Sequence, residues 1–194
     1  MVEFSTDSKI GIFAQSGYGK TYLATEIISF ICNHGGRVVV YDTDYNDRRY
    51  KWSSLPNCKV FSPKNSLATS PAYLNSFIKE LRAKYTNFFI FIDDIDVFFN
   101  KSSVLSSLFE ELKDISSRGR HSRIGLIYTT KTAFYIPSQL VQNTNIFYVG
   151  SFPTTKSIKS LIEFISYSDI ESLNKEKHEF LEVDILKNTK KKVM

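Results

Sequence analysis

The chain has 194 residues, and 25 Lys and Arg against 20 Asp and Glu leave it a formal net charge of +5. With 42% hydrophobic and 14% aromatic residues, it has the composition of a folded chain of one-domain size, not of a disordered one. No apolar run approaches the roughly 18 residues of a membrane-spanning helix, and Cys32 and Cys58 lack metal-ligand spacing, which excludes a zinc module. The N-terminus, Met1-Val2-Glu3-Phe4-Ser5, has neither the basic flank nor the apolar stretch of a secretory signal, so the expectation is a cytoplasmic protein with two free thiols. The mild positive charge is compatible with a nucleic-acid partner without establishing one.

In chain order, Ile10-Gly11-Ile12-Phe13 reads as a short strand. It feeds Ala14-Gln15-Ser16-Gly17-Tyr18-Gly19-Lys20-Thr21, and Tyr22 follows as an amphipathic helix begins. A strand, a glycine loop ending in Gly-Lys-Thr and a helix make the phosphate-binding loop of a nucleoside triphosphatase, one substitution short of the full pattern because Ala14 replaces its first glycine. Glycine lets backbone N–H groups converge on a phosphate without a Cβ in the way. Lys20 is expected to reach the β- and γ-phosphate oxygens of ATP, the Thr21 hydroxyl to bind Mg²⁺, and the helix start to add its positive end beneath the phosphates.

Leu23, Ile27, Phe30 and Ile31 mark the buried face of that helix, and Gly35-Gly36 end it. Val38–Tyr41 reads as a buried strand ending at Asp42, followed by a polar loop from about Thr43 to Pro56 and a short strand from Lys59 to Phe61. After a loop over Ser62–Ser70, Ser70 and Pro71 supply the cap and first residue of a helix that buries Leu74, Phe77, Ile78 and Leu81. Phe88-Phe89-Ile90-Phe91-Ile92 is apolar without alternation, the pattern of a strand covered on both faces. It ends in Asp93-Asp94, at the strand edge where open α/β sheets bind ligands. Asp93 is the expected Mg²⁺ partner of Thr21, and Asp94 the group that orients or deprotonates the attacking water. Asp96, two residues on, is assigned to the exit loop.

A helix carrying Leu105, Leu108, Phe109 and Leu112 is expected next, then strands Ile124–Thr129 and Ile146–Val149, then a helical face of Ile158, Leu161, Ile162 and Ile165. Leu181, Val183 and Ile185 alternate with Glu182 and Asp184, which predicts a half-exposed edge strand, and the basic tail over about 187–194 is expected to fray. No repeat or linker divides the chain. The reading is one domain over 1–194, an α/β three-layer sandwich with a mostly parallel central sheet. Between Lys20 and Asp93 there is room for two further strands, and with the polar run Thr129-Thr130-Lys131 ending a later strand the chain resembles the P-loop ATPases in which an extra strand separates the phosphate-loop strand from the acidic strand.

The segment from Arg118-Gly119-Arg120-His121-Ser122-Arg123 through Ile124–Thr129 to Thr130-Lys131, followed by Ile136-Pro137 and Asn145–Val149, resembles the FtsK–HerA superfamily of DNA-pumping ATPases. In compactness it is most similar to the genome-packaging ATPases of archaeal and other double-stranded DNA viruses. The resemblance runs from about Ile10 to Ile185. It implies ATP and Mg²⁺ as cofactors, non-sequence-specific double-stranded DNA as partner, a homo-oligomeric ring, contact with a capsid or portal-vertex protein, and work in the host cytoplasm. It also implies that Arg120 is presented to a neighbouring subunit's nucleotide and that Lys131 contacts the γ-phosphate. Asp94 and Lys131 stand where the family has glutamate and glutamine. Two rival readings stay open: an ATPase for phage-type assembly or extrusion, and a nucleotide-binding interaction module with vestigial hydrolysis. Arg48-Arg49-Tyr50-Lys51-Trp52 and Lys101-Ser102-Ser103 suit either contact with DNA or a solvated surface.

Overall fold

The first strand, β1 (Lys9–Phe13), is buried along its whole length and leads through the glycine loop into helix α1 (Lys20–Asn33). The computed structural model describes residues 4–99, 110–117, 123–152, 161 and 163–193. Strand β2 (Val38–Tyr41), the short helix α2 (Asp47–Tyr50), strand β3 (Cys58–Phe61) and helix α3 (Pro71–Lys84) follow. Then come β4 (Phe88–Ile92), helical residues 110–117 (α4), β5 (Ile124–Thr130) and α5 (Ser138–Gln142). The chain closes with β6 (Ile146–Val149), α6 (Tyr167–Glu171), β7 (Phe180–Asp184) and β8 (Thr189–Val193).

These strands form one eight-stranded sheet in the order β3-β2-β4-β5-β1-β6-β7-β8. From β3 to β6 every pairing is parallel, whereas β7 and β8 are antiparallel additions. The strand β5 lies between β1 and β4, as the resemblance to P-loop ATPases implies. The apolar run of β4 is divided by the pleat: Phe88, Ile90 and Ile92 enter one core, and Phe89 and Phe91 the other. The first core holds the buried faces of α3, α4 and α5; the second holds α1. Gly125 makes room for this arrangement, since a Cβ there would lie 2.2 Å from the Phe89 ring. Helix α3 starts as its cap residues dictate, with the Ser70 hydroxyl accepting from the Tyr73 N–H and Pro71 in the first turn.

Three expectations are corrected. The polar stretch after β2 contains α2 and a 3₁₀ turn (Trp52–Ser54) that buries Trp52 completely. Strand β7 is buried throughout, because the outer edge belongs to β8. The basic tail is that edge strand. Lys191 sits opposite Glu182 in the register and pairs with it at 3.0 Å, while Lys190 pairs with Asp169 at 3.0 Å. The lysines that resemble a solvated tail thus neutralise carboxylates on the strand and helix they cover, and their charge guards an open sheet edge. Several expected features lie outside the described residues: Lys101-Ser102-Ser103, the helix positions Leu105, Leu108 and Phe109, the segment Arg118–Ser122 with Arg120, and Ile158 and Ile162.

Candidate nucleotide site

At the carboxyl edge of the sheet the loop after β1 turns back on itself. Gly17 (φ +76°) and Gly19 (φ +87°) adopt the left-handed backbone that glycine permits without strain. Ala14 does not share that conformation. Its N–H donates to the Thr130 carbonyl at 3.3 Å, and the space beside its Cβ exists because residue 150 is glycine. The substitution in the motif therefore carries no conformational penalty. Gln15 is anchored through its N–H to the Ser151 carbonyl at 3.0 Å, and its own carbonyl accepts from Lys20 Nζ at 3.1 Å. The Tyr18 side chain points away: its hydroxyl donates to the Glu179 carbonyl at 2.9 Å, and its ring meets Phe180 edge-on. Tyr18 bolts the loop to β7.

Lys20 is buried, and desolvation pushes its pKa below the usual lysine value, against the opposing pull of Asp94 and Asp93. Thr21 Oγ1 lies 3.1 Å from Asp93 Oδ2 and 3.3 Å from Oδ1. A hydroxyl and a carboxylate placed side by side are the hard oxygen donors that Mg²⁺ prefers, so this pair fits the ion. Burial raises Asp93 to about 6, although the Thr129 hydroxyl donates to its Oδ1 and favours the charged form. The same Thr129 oxygen accepts from the Asp94 N–H at 2.7 Å, so one hydroxyl at the end of β5 orients both acids. Asp94 stands in the left-handed region (φ +46°) and pairs with Lys131 at 2.8 Å. That ion pair holds Lys131 above the usual lysine pKa. Asp96 lies in the 3₁₀ turn that leaves β4 (Ile95–Phe98) and is buried behind the site: its carboxylate accepts from the Lys131 N–H, and burial followed by the charge of Asp94 raises its pKa.

Lys20, Thr21, Asp93, Asp94 and Lys131 border a cavity of about 670 Å³, within the usual size for a small-molecule site. From the sequence-predicted set the structure brings Ser16, Gly17, Gly19, Lys20, Thr21, Tyr22, Asp93, Asp94 and Lys131 to it. Ala14, Gln15 and Tyr18 support the loop from behind. The opposite wall escapes sequence reasoning: Thr25, Asp44, Asn46, Arg49 and Tyr50 also line the cavity. The segment after β2 is tied down by Asp42, fully buried, whose carboxylate accepts from the N–H groups of Asp44, Asn46 and Asp47 and from the Ser62 hydroxyl. A second tie runs through Trp52, which donates its indole N–H to Thr25 Oγ1 at 3.0 Å. Thr25 in turn donates to the carbonyl of Thr21. The available signal was the acid ending β2 at the same sheet edge as Asp93, together with Thr25 one helical turn beyond Thr21.

Among the described residues, no helix is long and apolar enough to cross a membrane. The chain shares its fold with the genome packaging NTPase B204 of Sulfolobus turreted icosahedral virus 2, solved in complex with ATP-gammaS, at TM-score 0.78 and 14% identity over 98% of each chain. B204 of Sulfolobus turreted icosahedral virus, a DNA-packaging ATPase, aligns at TM-score 0.76 and 16% identity, again over 98% of each. The cytoplasmic domain of EssC gives TM-score 0.64 and 20% identity over 89% of this chain and 37% of that one. This is the fold that the FtsK–HerA resemblance implies. No curated protein matches the chain in sequence. The family model described as "ATPase family associated with various cellular activities (AAA)" matches residues 10–150, and on that match, over most of its length and around the phosphate loop just described, the chain belongs to the AAA family of ATPases.

Proposed function

We propose that the protein is an ATP-hydrolysing motor of the FtsK–HerA type that moves double-stranded DNA, packaging a viral genome into a capsid. The observation that carries this reading is end-to-end similarity of fold to packaging NTPases, combined with a cavity that joins Lys20, Thr21, Asp93 and Asp94. Lys20 would bind the β- and γ-phosphate oxygens, and Thr21 with Asp93 would hold Mg²⁺. When bound there, the ion offsets negative charge on the bridging and terminal phosphate oxygens. Asp94 orients a water toward the γ-phosphorus and accepts its proton as the new P–O bond forms and the bond to the ADP oxygen breaks. Before that, Asp94 must leave Lys131. A partly exposed pair of this kind is worth at most about 1 kcal/mol, and a γ-phosphate offers Lys131 a more highly charged partner. Arg120 of a neighbouring subunit would stabilise the transferring phosphoryl group. Basic loops lining a ring would grip the DNA backbone without reading its sequence.

The test is steady-state and single-turnover ATP hydrolysis with and without duplex DNA. A translocating motor is stimulated by DNA, and Asp94→Asn holds unhydrolysed ATP. A chain that binds ATP but never turns it over, with or without DNA, is a nucleotide-binding module instead. For Arg120→Ala, monomer affinity for ATP stays nearly unchanged while turnover of the oligomer drops sharply; full DNA-stimulated turnover in that variant contradicts the role in trans.

A further inference from the structure

The wall formed by α2 presents a cation to the cavity that nothing above employs. Arg49 is exposed, borders the same cavity as Lys20 and Thr21, and makes no ion pair among the described residues. Its guanidinium lies 5.3 Å from the centroid of the Tyr50 ring, and that ring stacks on buried Trp52 at 5.2 Å with planes 20° apart. Arg49 is thus held by a π-face, which leaves its fork of N–H donors unused. The other two cations of the cavity are engaged: Lys131 with Asp94, and Lys20 with the Gln15 carbonyl.

Sheet order decides which end of a nucleotide Arg49 would meet. Along the carboxyl edge the sequence of strands is β1, β5, β4, β2. Lys20 follows β1 and the metal-binding pair includes Asp93 after β4, so the triphosphate points from β1 toward β4. The segment after β2 lies beyond β4, on the side of the terminal phosphate and away from the base. The two ties described above fix α2 at both ends of this edge: Asp42 holds it to the end of β2, and Trp52 holds it through Thr25 to the Thr21 carbonyl. We infer that Arg49 is a γ-phosphate-binding residue acting within its own subunit, and that the cavity distinguishes nucleoside triphosphate from diphosphate through it. This rests on the nucleotide-site reading given under the proposed function. It also assigns Arg49 of the Arg48–Trp52 segment to nucleotide and not to DNA.

The experiment compares binding of ATPγS and ADP, each with Mg²⁺, by titration calorimetry to wild type, Arg49→Ala, Arg49→Lys and Lys20→Ala. Because a hydrogen-bonded charge contact is at stake, Arg49→Ala is expected to weaken ATPγS binding by about tenfold to a hundredfold and to leave ADP within about twofold. Arg49→Lys keeps the charge, loses the fork and falls between. Lys20→Ala weakens both ligands. Equal loss of ATPγS and ADP in Arg49→Ala, or no change in either, overturns the inference while Lys20→Ala upholds the site. So does a fall in duplex DNA affinity with the ratio of the two nucleotides unchanged. Undiminished binding of both nucleotides to Lys20→Ala removes the site reading and the inference together.

Discussion

The two walls of the nucleotide cavity are built by different means. On the β1 side the loop is shaped locally: two glycines in left-handed conformation, a lysine reaching back across the turn, a helix that begins at once. On the β2 side the same cavity is bordered by a polar segment containing only the short α2 and a 3₁₀ turn, and two side chains, Asp42 and Trp52, give it shape. The first wall therefore depends chiefly on backbone geometry, with Tyr18 and the gap left by Gly150 as its supports from outside the loop. The second depends on two side chains, Asp42 binding the N–H groups of the segment itself and Trp52 bonding to Thr25 of α1, so single substitutions away from any phosphate can move it.

The largest expected effect that sharpens this contrast is Trp52→Ala. Trp52 is fully buried and packs against Phe91, so removing it costs about 3–5 kcal/mol in urea unfolding. The loss of ATPγS affinity should exceed that of ADP, because Arg49 moves with it. Asp42→Ala comes next, at about 1.5–3 kcal/mol, since it strands three N–H groups and a hydroxyl. Unfolding curves superimposable on wild type would mean that water replaces the carboxylate and that the wall needs no anchor. The smallest effect is predicted on the other wall. Ala14→Gly restores the complete loop motif, yet Ala14 has no left-handed backbone to relieve. Steady-state turnover should stay within about twofold of wild type, and stability should fall by roughly 0.5–1 kcal/mol from added chain entropy. A tenfold gain in turnover would show that the loop is strained after all.

How much was readable follows the same division. The strand, glycine loop and helix around Lys20, the acidic strand ending in Asp93-Asp94 and the capped start at Ser70 are written in local pattern, whereas the insertion of β5 between β1 and β4 follows from the resemblance to P-loop ATPases. The outer features are not. Glu182 and Asp184 mimic the polar face of an edge strand because alternation is silent about a further strand that covers them. Lys190, Lys191 and Lys192 look like a solvated tail until their register against β7 is known. Asp96 is two residues from a recognised motif, but its role depends on the fold of the Thr130–Thr132 turn opposite. Arg49 could not be assigned from its basic and aromatic neighbours, since a composition suited to DNA also suits a terminal phosphate.

The most direct test of the central claim, that this cavity binds and hydrolyses ATP through its phosphate loop, is phosphate release by Lys20→Ala alongside wild type. Lys20 makes its described hydrogen bond within the loop and not to the core, so circular dichroism should show an unchanged fold. Turnover should drop by at least about a hundredfold, the scale expected when a preorganised charge is removed from the transition state. Wild-type phosphate release from a correctly folded Lys20→Ala protein would contradict the account.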